Sequence, residues 1–175
     1  MAVEPGHETE AIIGFLARIG LTVRREPIAR DCFLPGLTIV PGALVVDEAQ
    51  LRYPGDLLHE AGHLAVMTPA ERSACDGGAG ADGGAEMAAI AWSYAAALEI
   101  GLDPRVVFHA DGYKSGGAAI LQNFTEGRYF GTPLLQYYGM TRDPQHRLPA
   151  GEAALANEAI YPKMSHWLRQ APAEA

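Results

Sequence analysis

Hydrophobic residues recur at helical spacing in two segments of the first third of the chain. Residues 8–20 carry isoleucine and leucine on one face and end in a glycine, which predicts a first helix. Residues 57–67 repeat this period and end just before a Thr-Pro pair, which predicts a second helix. We expect Gly55 or Asp56 to cap the second helix, because glycine and short polar residues are favoured at that position.

Two short runs rich in β-branched residues lie between these helices. Residues 37–40 and 43–46 flank the turn dipeptide Pro41-Gly42, so they predict a β-hairpin. The stretch before the hairpin is interpreted as a polar link to the first helix. An isolated hairpin is only marginally stable, and we therefore expect a helix to pack against one of its faces.

The pattern after residue 70 predicts a loop, a long helix and a series of short helices. Residues 75–84 are so rich in glycine and aspartate that we expect a surface loop. An alanine-rich run predicts a helix over 85–100, which a glycine ends. Asp103 and Thr132 each precede a proline, a pattern typical of an N-cap followed by the first helical residue. Short helices are expected over the remainder, 104–175.

Together these elements predict a single α+β domain over residues 1–175. A small antiparallel sheet or hairpin would pack on the helix at 57–67 and on the helix at 85–100, and residues 104–175 would form a mostly helical part. The length of 175 residues and the hydrophobic content of 49% allow a substantial core. No internal repeat or linker divides the chain.

Charge and composition argue against several classes of function. The formal net charge of -8 disfavours nucleic-acid binding, which requires clustered lysine and arginine. Cys32 and Cys75 form no Cys-x-x-Cys pattern, which disfavours a disulfide framework and a thiolate zinc site. The N-terminal residues lack the apolar core of a secretory signal, and the most apolar stretch, 85–102, is too polar to span a bilayer. We therefore expect a cytoplasmic protein without a membrane or nucleic-acid partner; the sequence does not indicate its oligomeric state.

The motif His59-Glu60-Ala61-Gly62-His63 lies within the second predicted helix. Residues four apart share one face of a helix, so both imidazoles can point to one metal ion. Neutral imidazole is a good ligand for zinc. Glu60 follows His59 by about 100° of rotation, so its carboxylate lies beside the metal and can take a proton from water. The small residues Ala61 and Gly62 would let another element approach this helix closely.

A catalytic zinc site needs a third protein ligand. Glu86 is the strongest candidate, because it lies at the start of the long alanine-rich helix and the preceding loop allows the chain to turn back. Asp76, Asp82 and Cys75 are alternatives within that loop, where side-chain positions are poorly fixed. Glu99, several turns further along the same helix, is a weaker alternative.

The order of these elements resembles that of the small gluzincin-type metallopeptidases. The stretches GLTIVPGALVVDEAQLRYPGDLLHEAGHLAV and GGAEMAAIAWSYAAALEIGL carry the resemblance, which covers roughly residues 36–100. The chain is most similar to the compact ImmA/IrrE-like group, the minigluzincins, in which a short sheet precedes the H-E-x-x-H helix. The resemblance implies a zincin-like fold, with His59, His63 and Glu86 as zinc ligands and Glu60 as general base.

These residues predict a zinc-dependent hydrolase, in particular a peptidase acting on a peptide or protein substrate. Glu60 would accept a proton from water and pass it to the leaving amine. The edge strand of the small sheet could align an extended peptide. A tetrahedral oxyanion also needs a donor besides the metal, and His109, at a helix-to-loop transition, is predicted as this second catalytic residue.

Several tyrosines are further candidates for the oxyanion donor, namely Tyr94, Tyr113, Tyr129, Tyr137 and Tyr138. Two other classes of function stay open from the sequence. One is a metal-binding but non-catalytic regulatory or interaction domain of zincin-like fold. The other is a structural or interaction domain without a metal, in which the two histidines would diverge.

Overall fold

The computed structural model describes residues 6–29, 32–77, 82–146 and 159–171. Within these ranges it contains six α-helices and three β-strands, which makes the protein an α+β protein. In chain order the elements are α1 (His7–Ile19), β1 (Val23–Arg25), β2 (Leu37–Val40), β3 (Ala43–Val46), α2 (Pro54–Val66), α3 (Pro69–Ala74), α4 (Gly83–Glu99), α5 (Gly117–Thr125) and α6 (Thr132–Tyr137). Two short 3-10 turns, Pro104–Val106 and Tyr113–Ser115, lie between α4 and α5.

The three strands form one sheet in the order β1, β3, β2. β2 and β3 pair antiparallel with Leu37 opposite Val46, so the predicted hairpin is confirmed. β1 instead pairs parallel with β3, with Val23 opposite Leu44. The sheet is therefore mixed, and the interpretation of the stretch before the hairpin as only a polar link is wrong. Its two arginines are exposed, so this strand lacks the apolar alternation by which strands are predicted.

Helix α2 begins at Pro54, earlier than predicted, and its N-cap residue Tyr53 makes no side-chain capping bond. The expected cap at Gly55 or Asp56 is therefore wrong. Proline suits the first turn of a helix, because its missing N–H needs no partner there. A Cβ at Gly55 would lie 2.0 Å from the carbonyl oxygen of Val106, so glycine is what allows the first 3-10 turn to approach α2.

A short helix that the sequence analysis did not predict, α3, follows α2. Thr68 and Glu71 form a capping box at its start: the Thr68 side chain accepts from the Glu71 N–H, and the Glu71 carboxylate accepts from the Thr68 N–H at 2.8 Å. Proline at the first helical position supports the same start.

The predicted loop over 75–84 is shorter than expected. Gly77 donates its N–H to the Ile39 carbonyl at 2.9 Å and so pairs with the outer side of β2. Helix α4 begins at Gly83, where the Asp82 side chain accepts from a backbone N–H of the first turn. Residues 78–81 lie outside the described residues.

Helices α2 and α4 pack closely through small residues. A Cβ at Gly62 would lie 2.9 Å from the Ala89 carbonyl oxygen and 3.0 Å from Ser93 Oγ. Glycine at this position therefore lets the two helices approach, as the sequence predicts. The middle of α4 is buried and consists mainly of alanine together with Trp92. This contact holds the start of α4 against the histidine-bearing face of α2.

Asp103 and Thr132 are both predicted as N-caps before a proline, and the structure confirms only Asp103. The Asp103 side chain accepts from the Arg105 N–H at 2.9 Å, which confirms it as a cap. Thr132 is already helical, and Gly131 is the N-cap of α6. Gly131 has φ 78°, and a Cβ there would lie 2.1 Å from the Met87 carbonyl oxygen. The close approach of α6 to the start of α4 therefore needs glycine at the cap.

The segment 159–171 crosses the C-terminal end of α2, where it and Arg72 of α3 satisfy the last carbonyl groups of that helix. The Arg169 N–H donates to the Ala65 carbonyl at 2.8 Å. Arg72 donates through Nε to the Leu64 carbonyl at 2.8 Å and through Nη2 to the Arg169 carbonyl at 3.1 Å. The end of α2 thus depends on a segment distant in sequence.

From residue 104 onward, the helices among the described residues are α5, α6 and the two 3-10 turns. The described segment 159–171 contains turns, bends and an isolated β-bridge from Ile160 to Arg142 but no helix, so this part is less helical than predicted. The prediction for 147–158 and 172–175 falls outside the described residues. Within the described ranges, the length and apolarity of every helix fall short of what a membrane crossing needs.

Candidate metal centre

Helix α2 places His59 and His63 one turn apart on one face, and their Nε2 atoms lie 3.1 Å from each other. The two side chains are largely buried, with 13% and 7% of their surface exposed. A carboxylate oxygen of Glu60 and one nitrogen of each histidine all lie within 4.8 Å of one another. This His-Glu-His group could hold a metal ion.

Glu86, in the first turn of α4, extends its carboxylate to the same point. Its Oε1 lies 3.4 Å from His59 Nε2, and its Oε2 lies 3.1 Å from His63 Nε2. The Gly62 contact between the two helices makes this reach possible, because it fixes the start of α4 beside α2. Four donor atoms of three side chains therefore converge, two nitrogens and two oxygens.

Burial controls the protonation of this cluster. It lowers the pKa of His59 to about 4, with a further lowering by His63 and a partial opposition by Glu86. His59 is therefore neutral at pH 7, which is the form of imidazole that binds metal ions. The hydrogen bond with His63 lowers the pKa of Glu86 despite its partial burial, so this carboxylate stays ionised.

Glu60 lies in a different environment from Glu86. Burial raises the pKa of Glu60, and the negative charges of Glu86 and Asp56 add to this, while His63 opposes it. A carboxylate with a raised pKa is a stronger base than an ordinary glutamate. The two glutamates at the site thus differ in the direction of their pKa shifts.

Tyr113 contacts the back of His59, on the side away from the other donors. Its hydroxyl lies 3.0 Å from His59 Nδ1, and the two rings meet edge to face with centroids 5.2 Å apart. Burial raises the pKa of Tyr113 well above its ordinary value, and Glu86 and Asp56 add to the effect. The hydroxyl is therefore protonated near neutral pH.

The backbone that carries Tyr113 is left-handed over three consecutive residues. Tyr113, Lys114 and Ser115 have φ of 53°, 52° and 66°, between Gly112 and Gly116. A non-glycine residue in this region costs roughly 1–2 kcal/mol. Backbone hydrogen bonds close the turn, from Ser115 N to Gly112 O and from Gly116 N to Tyr113 O. Such strain persists only where surrounding contacts hold it, and it is frequent at functional sites.

His109, in the segment between the two 3-10 turns, belongs to a neighbouring polar cluster around Asp56 of α2. Its Nε2 is 3.0 Å from Asp56 Oδ1, one turn before Glu60, and its ring stacks on Tyr53 with centroids 3.9 Å apart. The Tyr53 hydroxyl in turn donates to Asp111. His109 is thus engaged by Asp56 and contacts this carboxylate rather than the two histidines of α2.

Two of the other candidates for the third ligand, Asp82 and Glu99, are engaged elsewhere or lie at a distance from the histidines. Asp82 caps α4 with its side chain. Glu99 ends α4, 13 residues after Glu86, which at 1.5 Å per residue is about 20 Å along the helix. Cys75 is partly buried, which raises the pKa of its thiol, and nearby Glu60 adds to this shift. Among the described residues, Glu86 is the candidate whose carboxylate contacts both histidines.

The other tyrosine candidates serve packing or lie at the surface. Tyr94 packs on Phe124, and Tyr129 packs on Tyr161. Tyr137 is 81% exposed, and Tyr138 lies under the guanidinium of Arg169. Glycines on both sides of the Tyr113 turn indicate a tight backbone, but the sequence carries no local signal for the contact of Tyr113 with a histidine. The partner of His109, Asp56, was expected only as a helix cap.

Comparisons of the chain with models of protein families, with curated proteins and with solved structures found no match. The resemblance to gluzincins therefore stands on the His-Glu-x-x-His cluster alone. What the site does has to be argued from its own geometry and chemistry.

Proposed function

We propose that the protein is a zinc-dependent hydrolase that cleaves peptide bonds in a peptide or protein substrate. One observation carries the proposal: the spacing of the donor atoms of His59, His63 and Glu86. Ligand atoms bound tetrahedrally at about 2.0–2.1 Å from zinc lie about 3.3 Å apart. His59 Nε2 lies 3.1 Å from His63 Nε2 and 3.4 Å from Glu86 Oε1, and His63 Nε2 lies 3.1 Å from the other oxygen of the same carboxylate, Oε2.

The donor set also favours zinc and an open coordination position. Two imidazoles and one carboxylate form the His2Glu set of catalytic zinc sites, which leave a fourth position for water or substrate. His59 is already neutral and Glu86 already ionised at pH 7, so neither has to lose a proton to bind a cation. Zinc, when bound, would act as a Lewis acid towards water and towards the substrate carbonyl.

Glu60 is the proposed general base. It follows His59 on α2, and its carboxylate lies within 4.8 Å of the ligand nitrogens without being the carboxylate nearest to them. The raised pKa suits it to accept a proton from the attacking water and to pass it to the leaving amine. The opposite pKa shifts of Glu60 and Glu86 support different roles for the two carboxylates.

The order of elements supports the assignment to a zincin-like fold. A short sheet precedes α2, which carries the histidines, and α4 begins with the third candidate ligand. This is the arrangement that the resemblance to the ImmA/IrrE-like gluzincins implies. The family assignment is part of the proposal.

Two details of substrate handling remain predictions. The carbonyl of Ile39, on the outer side of β2, already accepts from Gly77, so an extended substrate on this edge would have to displace that contact or pair beyond it. His109 as oxyanion donor would have to leave its bond with Asp56. That bond engages Nε2, and the other ring nitrogen, Nδ1, is buried with no hydrogen-bond partner among the described residues.

The proposal is tested by metal analysis and peptide cleavage on the full chain. We expect one zinc per chain in the purified protein, cleavage of members of a broad peptide library, and loss of cleavage by roughly 10²–10⁴-fold in Glu60→Gln with zinc retained. His63→Ala should lose the zinc. Absence of bound zinc after reconstitution would refute the metal site. A zinc-loaded protein that cleaves nothing would instead support the non-catalytic alternative.

A further inference from the structure

We infer that Tyr113 is a positioning residue that fixes the metal-binding orientation of His59 by accepting a hydrogen bond from its Nδ1. The inference rests on the proposed zinc site, because it concerns how one of its ligands is held. It adds a residue from a distant part of the chain to the two helices that carry the donors.

The contact has the geometry that a metal-bound histidine requires of its outer partner. His59 Nε2 faces His63 and Glu86, and the Tyr113 hydroxyl lies 3.0 Å from the opposite nitrogen, Nδ1. When one ring nitrogen binds a metal, the other carries the proton, and the group that accepts this proton sets the tautomer and the ring orientation. Tyrosine can play this role because its hydroxyl oxygen accepts a hydrogen bond while keeping its own proton.

The two histidines are not held alike. His59 Nδ1 has Tyr113 as its partner, whereas His63 Nδ1 is buried and has no hydrogen-bond partner among the described residues. Both histidines stand on the same helix, so α2 alone does not distinguish them. The difference arises from the turn that carries Tyr113.

The backbone of that turn supports a role beyond packing. A tyrosine ring could fill space from an ordinary backbone, but Tyr113 begins a run of three left-handed non-glycine residues. The chain is fixed on both sides of this run: Phe108 packs on the Tyr113 ring, and a Cβ at Gly117 would lie 2.7 Å from the Phe108 carbonyl oxygen. An energetically costly turn that aims one hydroxyl at a ligand nitrogen supports a positioning role for that contact.

The test compares zinc affinity of the full chain in Tyr113→Phe and in the matched control Tyr137→Phe, whose ring is 81% exposed. Phenylalanine keeps the ring that packs on Phe108 and removes only the hydroxyl. We expect Tyr113→Phe to bind zinc 10–100-fold more weakly in a competition titration, the range for loss of such an outer partner. Tyr137→Phe should bind as the wild type does. Equal affinity in the two variants would overturn the inference while leaving the zinc site intact.

A second measurement is made first on the unmodified protein, where it does not depend on a variant that folds. Nitrogen-15 NMR of the zinc-loaded chain should show His59 bound through Nε2, with a slowly exchanging proton on Nδ1. In Tyr113→Phe this proton should exchange faster, while the signals of His63 stay in place. Zinc on Nδ1 of His59 would contradict the inference directly. A wild type that binds no zinc would overturn both this inference and the proposed function.

Discussion

The α2–α4 pair and the turn from Gly112 to Gly116 both bring side chains to the candidate site, by opposite structural means. The helix pair uses regular backbone and small residues, with Gly62 against Ala89 at its closest approach. The turn uses three left-handed residues between two glycines. Donors that must share one point stand on the rigid pair, and the group that orients one of them comes from the strained turn.

This difference indicates that the spacing of the two histidines and the orientation of their rings are set by different parts of the protein. Helix geometry fixes the distance between His59 and His63 without outside help, because residues four apart always lie on one face. The rotation of each imidazole about its own bonds is not fixed by the helix. It has to be set by contacts from elsewhere, and Tyr113 supplies one of these at a cost in backbone energy.

The largest expected effect is a loss of stability at low pH, because the helix pair buries His59. The folded protein lowers the pKa of His59 to about 4, whereas an unfolded chain has an ordinary histidine near 6.5. Below pH 6.5, therefore, His59 binds a proton in the unfolded chain but stays neutral in the folded protein until the pH approaches 4. Stability present above pH 6.5 is lost as the pH falls towards 4, by up to about 3 kcal/mol.

Urea unfolding of the zinc-free protein between pH 7 and pH 4.5 measures this loss. His59→Gln should flatten the decline, since it removes the group that titrates. His146→Gln, at an exposed position, should decline as the wild type does. Equal slopes for all three proteins would mean that His59 is solvated and that the helix pair is more open than described.

A smaller effect is expected from the closest approach within the pair. Gly62→Ala adds helix propensity, but its Cβ would lie 2.9 Å from the Ala89 carbonyl and 3.0 Å from Ser93 Oγ. We expect a net loss of about 1–3 kcal/mol in the free energy of unfolding, because overpacking forces the helices apart.

Gly14→Ala is the matched control, since Gly14 also lies inside a helix and a Cβ there would meet no atom of the described part of the chain within 4 Å. This change should stabilise the protein by roughly 0.5–1 kcal/mol. Thermal or urea unfolding of both variants gives the comparison. If Gly62→Ala instead stabilises the protein, helices α2 and α4 can move apart without cost. Their close contact would then not be what positions Glu86 beside the histidines.

The smallest effect is expected in the strained turn. Lys114 is exposed, with φ 52° and ψ 42°, so Lys114→Gly relieves backbone strain while losing little contact. We expect a gain of up to about 1 kcal/mol in the free energy of unfolding, after the greater freedom of glycine in the unfolded chain is subtracted. Lys163 is also exposed but has no positive φ, so Lys163→Gly should instead lower the free energy of unfolding. A loss in Lys114→Gly equal to that in Lys163→Gly would argue that the turn is not strained.

The sequence predicts the helix pair better than the rest of the molecule, and for a physical reason. The period of apolar residues, the H-E-x-x-H spacing and the glycine ends of helices are local signals. They are sufficient to place α1, the hairpin and α4, and to make Glu86 the strongest of several candidate third ligands; its convergence with the two histidines depends on how the helices pack. Local preference and tertiary structure agree in these segments.

Elements that depend on distant partners were missed. β1 forms only because its residues pair parallel with β3, and its exposed Arg24 and Arg25 conceal the strand pattern. The start of α6 at Gly131 depends on the approach of α4. Helix α3 was missed for another reason: its capping box, Thr68 to Glu71, is a local signal that could have been used. The contact between Tyr113 and His59 joins residues 54 positions apart and has no local signature.

The strap formed by residues 159–171 has a consequence for the order of events during synthesis. Val66, at the end of α2, accepts a hydrogen bond from Arg169, 103 residues later. Ribosomes add roughly 5–20 residues per second, so both histidines emerge roughly 5 to 20 seconds before the residue that closes the end of their helix. The nascent chain therefore presents the two imidazoles before the C-terminal strap is made, and the completed site is a late product of folding.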